Sequence, residues 1–162
     1  MHKSGSGGIE LGVIGVEAVQ AAVARMLELA ASKGIACDGV LVERMEAIEF
    51  ELLVGLRRDP VLGPHLVVGR GGVSVEVDPD IAHALLPLDA TGVLALLRSL
   101  RCHALLEGHR GRPAAPLALL AQAIADLCAQ FMASPQLAEI EINPLAVTRS
   151  GHIVALDAAL SF

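Results

Sequence analysis

The sequence contains Glu139-Ile140-Glu141-Ile142-Asn143-Pro144, then Arg149-Ser150-Gly151, then Ile153-Val154-Ala155-Leu156-Asp157. Apolar residues alternating with polar ones on both sides of three turn-forming residues predict a β-hairpin over roughly 138–147 and 152–158. With Arg149, Ser150 and Gly151 as a three-residue loop and Gly151 in its left-handed position, the register places Asn143 opposite Asp157. The period of two assigns Glu139, Glu141, Asn143 and Asp157 to one face, and Ile140, Ile142, Val154 and Leu156 to the other. Facing Cβ atoms lie about 4.5–5.5 Å apart, so an amide oxygen and a carboxylate oxygen can share a cation. Two hard oxygen donors suit Mg²⁺, which keeps several waters and completes its shell with substrate phosphates. The competing reading is a strand merely bent at Asn143-Pro144 with Asp157 in water. A one-residue slip in register separates the two readings, because it sends one partner to the opposite face.

Other groups carry weaker chemistry. Gly69-Arg70-Gly71-Gly72 has the composition of a backbone phosphate cradle and equally of a hairpin turn. Arg57, Arg58, Arg110 and Arg112 are candidates to meet anions or simply to face solvent. The six histidines share no metal-ligand spacing, and Cys37, Cys102 and Cys128 form neither a zinc pattern nor a disulfide framework, which fits a reducing cytoplasm.

These residues must be positioned by regular elements. Val16, Val19, Val23, Met26 and Ala30 have helical spacing, and Gly34 follows as a stop, predicting a helix over 16–33. Gly39-Val40-Leu41-Val42 reads as a short strand, and Ile48, Phe50, Leu52, Val54 and Leu56 as the buried positions of a half-buried one. Asp59-Pro60 and Gly63-Pro64 bracket a turn, and Leu66–Val68 with Val73–Val77 suggest a hairpin around the glycine loop. A helix capped by Asp89 or Thr91 carries Val93, Leu96, Leu97 and Leu100. Another, opened by Pro116, presents Leu117, Leu120, Ile124, Leu127 and Phe131. The order of elements predicts an α+β fold with a mainly antiparallel sheet packed with helices.

Composition narrows the partners. Of 162 residues, 54% are apolar without counting Gly and only 19% are charged, which excludes a disordered chain. A net charge of −6, with no Trp or Tyr and three Phe, argues against nucleic acid as a ligand. Gln122, Asp126 and Gln130 make the most apolar stretch amphipathic, so no membrane association is expected. The apolar surplus instead suggests surface that another segment or subunit covers.

Several strings together resemble the ATP-grasp domain of NDP-forming acyl-CoA synthetases, with the succinyl-CoA synthetase beta subunit as a more distant relative. They are Glu51–Gly55 through Arg58-Asp59-Pro60, Gly69–Val77, Leu105–Pro113 and Glu141-Ile142-Asn143-Pro144-Leu145, with His2-Lys3-Ser4 and Gly7-Gly8 at the start. The resemblance implies an ATP-grasp fold in which residues 1–38 end the first subdomain and 39–162 supply a hinge strand and the second. It also implies that nucleotide lies between the two subdomains. Val42–Met45 falls on the hinge strand that meets the adenine, with Met45 among the cofactor contacts. Glu43 and Glu51 fall on nucleotide-contacting carboxylates, and Asn143 and Asp157 on Mg²⁺ ligands. Glu141 matches the catalytic acidic residue that steadies a phosphohistidine.

The implied cofactors are ATP or ADP and Mg²⁺, and the implied reaction is acyl-CoA, ADP and phosphate going to acid, CoA and ATP. The phosphorylated histidine belongs to a separate CoA-binding domain or subunit, which is the implied partner. The family's ATP-binding lysine precedes the His-Lys-Ser string, so the chain reads as the later part of the grasp, inactive alone. Where Ala84 stands, the family more often has arginine. A different reading from the same resemblance is a regulatory synthetase-like domain attached to a protein acyltransferase, its nucleotide site no longer catalytic. The presence of Glu141, Asn143 and Asp157 favours the synthetase.

Overall fold

A computed structural model describes residues 8–72, 80–109 and 111–162. The chain divides into two compact units, Met1–Glu46 and Ala47–Phe162. The first contains α1, Val16–Ser32, which ends at Lys33 and Gly34 as its apolar spacing predicts. Its apolar side is poorly covered. Ala22 is its one buried residue, while Val16 is 74% exposed and Ile14, just before the helix, 88%. Residues 39–42, expected as a strand, have no strand conformation, and Leu41 and Val42 are exposed. Among the described residues this unit offers no neighbouring strand to pair their N–H and C=O groups.

The second unit is built on a sheet of β1 (Ile48–Asp59), β2 (Gly63–Arg70), β3 (Ile81–Leu85), β4 (Glu139–Thr148), β5 (Ile153–Ala155) and β6 (Ala158–Ser161). The order is β3-β2-β1-β4-β5, with β6 also on β4, and each pairing among the described residues is antiparallel. Strand β1 buries Phe50, Leu52, Val54 and Leu56, the alternate residues that its sequence marks. They meet Val93 and Leu97 of α2 (Ala90–Ser99) and Leu120, Ile124, Cys128 and Phe131 of α4 (Leu117–Ala133). Full burial contributes about 1.5–3 kcal/mol per large apolar side chain. Leu117 and Leu127, expected on the buried side of α4, are partly buried, and Ala121, Ala125 and Cys128 complete its core-facing stripe. The short α3, His103–Leu106, has no signature in the sequence because four residues carry no periodicity.

Local polar groups finish the elements. Asp89 Oδ1 accepts from the Gly92 N–H at 2.8 Å and caps α2, while Asp59 Oδ1 accepts from Val61 and Leu62 N–H in the β1–β2 turn. Strand β2 pairs on its outer side with β3. The expected hairpin arm Val73–Val77, like His2-Lys3-Ser4 and Arg110, lies outside the described residues.

Asp80 is a buried carboxylate whose Oδ1 and Oδ2 accept from the N–H groups of Arg101 and Cys102 at 2.8 and 2.7 Å. Burial works to raise its pKa, and the two amide hydrogen bonds outweigh this, leaving it below the usual carboxylate value. A depressed folded pKa contributes stability above the unfolded value of about 3.9 and loses it as pH falls through the folded value. Asp80→Asn is expected to cost about 1.5–3 kcal/mol at neutral pH. Urea melts of both proteins across pH 7 to 2 should show this gap closing on the acid side.

Candidate functional site

The hairpin has the register that the sequence predicts. Leu145 pairs with Ala155 and Val147 with Ile153, and beyond them Ile142 pairs with Ala158 and Glu141 with Ala159. Between these stretches the Asn143 N–H donates to the Asp157 carbonyl at 3.0 Å, and the Leu156 N–H to the Pro144 carbonyl at 3.0 Å. Asn143 and Asp157 therefore face each other. Gly151, at φ 82, takes the left-handed position of the loop, where a side chain would be strained.

The expected division of faces holds only up to Asn143. Val54 pairs with Ile142 but Leu52 pairs with Leu145, so Asn143 and Pro144 together stand opposite Leu53. This bulge reverses the alternation beyond it. Ala146 pairs with both Glu51 and Val154, which puts Val154 on the Glu51 face rather than with Ile140. Leu156 is 39% exposed instead of buried, and Ile153 packs on the core in its place. The second strand breaks into β5 and β6 at Leu156-Asp157, alongside the bulge.

The result is a polar face turned away from the helices. Glu141 pairs with Gly55, and the period of two puts Gly55 and Glu51 on one side of β1 with Leu53. Glu51, Glu141 and Asn143 thus share the side opposite Leu52, Val54 and the helices. Glu141, Asn143 and Asp157 are exposed, Glu139 and Glu51 half-buried. Gly71 donates its N–H to the Glu51 carbonyl at 2.8 Å, and a Cβ on Gly72 would lie 2.6 Å from Glu51 Oε2. Among the described residues no three His, Cys, Asp or Glu side chains converge to hold a metal. One amide and one carboxylate make a sparser donor set, of the kind that fits Mg²⁺ with its remaining positions open to water and phosphate.

Glu43 and Met45 belong to the first unit, where both are exposed. Residues 40–43 and Met45 border a cavity of about 100 Å³ beside Val19, Val23 and Met26 of α1. Ala84 is half-buried opposite Leu66 and contributes no polar group.

Several suggested anion groups have other occupations. Arg58 Nε donates to the Leu137 carbonyl at 2.9 Å and its Nη2 to those of Phe131 and Ser134, with the guanidinium 4.5 Å over the Phe131 ring. It ties down the end of α4. Arg112 lies 3.5 Å from Glu49, which Arg149 also approaches at 3.6 Å. In the glycine loop, the Arg70 and Gly71 amides are bonded to Asp80 and Glu51 carbonyls, so those two do not cradle a phosphate. Burial pushes the thiols of Cys102 and Cys128 up to about 12 and about 11, which leaves both protonated and without nucleophilic use. Asp80 and Glu49 carry no local sequence signal, because their partners are distant in the chain.

The ATP-grasp domain family matches residues 1–162. A trans-feruloyl-CoA synthase from an unknown prokaryotic organism is 35% identical over 98% of this chain, which spans 23% of that protein. The beta subunit of ADP-forming acetate–CoA ligase I from Pyrococcus furiosus is 29% identical over 99% of the chain, which spans 69% of the subunit. Among solved structures, dinucleotide-forming acetyl-coenzyme A synthetase 1 of Ca. Korarchaeum cryptofilum superposes with a TM-score of 0.88 at 26% identity. That match covers 97% of this chain and 69% of the other. Another structure of the same synthetase, at TM-score 0.84 and 26% identity, holds coenzyme A and Mg-AMPPCP and covers 99% and 70%.

Proposed function

This chain belongs to the ATP-grasp domain family, and on that premise we propose that it is the nucleotide- and Mg²⁺-binding portion of a cytoplasmic ADP-forming acyl-CoA synthetase. The observation that carries the reading is the hairpin register that sets Asn143 opposite Asp157, beside Glu141 and Glu51 on the open face. Relatives named as ADP-forming acetate–CoA ligases support the reaction class. Residues 1–38 end the first ATP-grasp subdomain, and 39–162 form the hinge and the second.

Orthophosphate attacks the acyl-CoA carbonyl, releasing CoA and leaving an acyl phosphate. A histidine on a CoA-binding partner takes the phosphoryl group and frees the carboxylic acid, and ADP then accepts the group to become ATP. This chain serves the last transfer, where positioning and charge neutralisation carry most of the catalysis. Glu43, Met45 and Glu51 contact the nucleotide. Asn143 and Asp157 hold Mg²⁺, which supplies charge neutralisation on the phosphates when bound. Glu141 accepts a hydrogen bond from the phosphorylated imidazole and orients it.

With the complete synthetase, ATP formation from acyl-CoA, ADP and phosphate is the test, and the chain alone is expected to form none. Glu141→Gln should leave ADP affinity within about twofold and slow histidine phosphorylation by about 10²–10⁴-fold. Loss of ADP binding with normal phosphorylation would assign Glu141 to the nucleotide instead.

A further inference from the structure

Gly55 lies in the middle of β1, where the fold itself asks for no glycine. A glycine inside a strand weakens it, and commonly marks a bulge, a sharp bend, a close backbone neighbour or the approach of a ligand. Gly55 lies outside the bulge at Leu53. Val54, Gly55 and Leu56 pair in unbroken register with Ile142, Glu141 and Ile140 on one side and with Val68, Val67 and Leu66 on the other. Strand β1 runs on without interruption to Asp59, and Gly55 has no left-handed φ. Among the described residues a Cβ on Gly55 would meet only the Val67 Cβ, at 3.7 Å, which is ordinary van der Waals contact. Gly69 and Gly71 differ, because a Cβ there would lie 2.8 Å from the Asp80 carbonyl oxygen and 2.9 Å from the β1 backbone. Packing of the chain explains those two glycines and leaves Gly55 unexplained.

The missing side chain opens a gap on the face turned away from the helices. Paired residues share a face, so one row across the sheet presents Glu141 on β4, Gly55 on β1, Val67 on β2 and His83 on β3. Facing Cβ positions lie about 4.5–5.5 Å apart, so Glu141 and Val67 stand about 10 Å from each other across a floor of bare backbone. Leu53, two residues earlier on the same face, is half-buried like Val67, and Glu141 is exposed. A flat ring laid over Gly55 would meet apolar side chains on two borders and a carboxylate on a third.

We infer that Gly55 leaves room for the phosphorylated imidazole of the partner's histidine, which lies on the β1 backbone with Glu141 at its edge. This rests on the reading that gives Glu141 to that imidazole. One ring nitrogen carries the phosphoryl group, and the N–H of the other donates to Glu141. In the transfer the P–N bond breaks as an oxygen of the ADP β-phosphate bonds to phosphorus. The electron pair stays on the ring nitrogen, the proton facing Glu141 stays on the other, and a neutral imidazole is left. A methyl group at residue 55 would lift the ring off the backbone, and a displacement of about 1 Å costs about 10²-fold in rate.

Gly55→Ala and Gly55→Val in the complete synthetase test this. Both side chains suit a strand interior better than glycine, so each variant should melt about 1–3 °C above the parent. Mg²⁺-dependent ADP affinity, read by calorimetry, should stay within about twofold. Single-turnover transfer from the phosphorylated partner to ADP should fall about tenfold in Gly55→Ala and about 100-fold or more in Gly55→Val. Lower melting temperatures in both variants would make Gly55 a packing residue and overturn the inference. ADP affinity lost in step with transfer would put the nucleotide over Gly55 and overturn it as well. Normal transfer in Gly55→Val beside an active parent would overturn this inference alone and leave the role of Glu141 standing. A parent that passes no phosphoryl group to ADP would overturn the proposed function and this inference with it.

Discussion

Asp157→Ala should cut Mg²⁺-dependent ADP affinity of the complete protein by about 100-fold or more, and Asn143→Ala by about tenfold. Replacing outer-shell partners of a bound metal already costs about 10–100-fold in affinity, so loss of a direct ligand belongs at the top of that range or beyond. The two changes differ because Asp157 contributes a full negative charge and Asn143 a neutral oxygen. Their backbones face each other through the Asn143 N–H and the Asp157 carbonyl at 3.0 Å, so neither side-chain truncation removes the bond that sets the register. Titration of ADP at saturating Mg²⁺ and again in chelator reads the effect. Equal Mg²⁺ dependence in Asp157→Ala and the parent would remove the carboxylate from the metal site.

Phe131→Ala should destabilise the domain by about 3–5 kcal/mol, enough to unfold a marginal protein. The ring is fully buried in the cluster where α4 meets the sheet. It also carries the Arg58 guanidinium, 4.5 Å from its centroid, while that group's donors hold the carbonyls of Phe131, Ser134 and Leu137. Truncation therefore leaves a cavity and deprives a half-buried cation of its packing surface. Phe131→Leu, which keeps most of the volume, should cost less than half as much in denaturant melts.

The hairpin was readable because a three-residue loop with Gly151 fixes which residues face each other, and β1 because its apolar positions alternate cleanly. Residues beyond Asn143 were not, since a bulge adds one residue opposite Leu53 and nothing local marks where alternation reverses. Val154 and Leu156 changed places with Ile153 for that reason. Residues 39–42 show the opposite failure. Val40, Leu41 and Val42 have strand composition, yet a strand exists only with a partner to accept its hydrogen bonds. Asp80 was invisible because its donors, Arg101 and Cys102, come from a turn more than twenty residues away, as distances along the chain of 21 and 22 residues show. Arg58 looked like a surface cation and is instead a clamp on the last turn of α4, for the same reason.

The central claim is that Asn143 and Asp157 hold the divalent cation that accompanies the nucleotide. Replacing Mg²⁺ with paramagnetic Mn²⁺, which accepts the same oxygen ligands, localises that cation directly. In amide NMR spectra of the ADP complex, signals of Glu141, Asn143 and Asp157 should broaden away at substoichiometric Mn²⁺ while those of α2 persist. Broadening centred elsewhere, or none at the hairpin with ADP bound, would contradict the account.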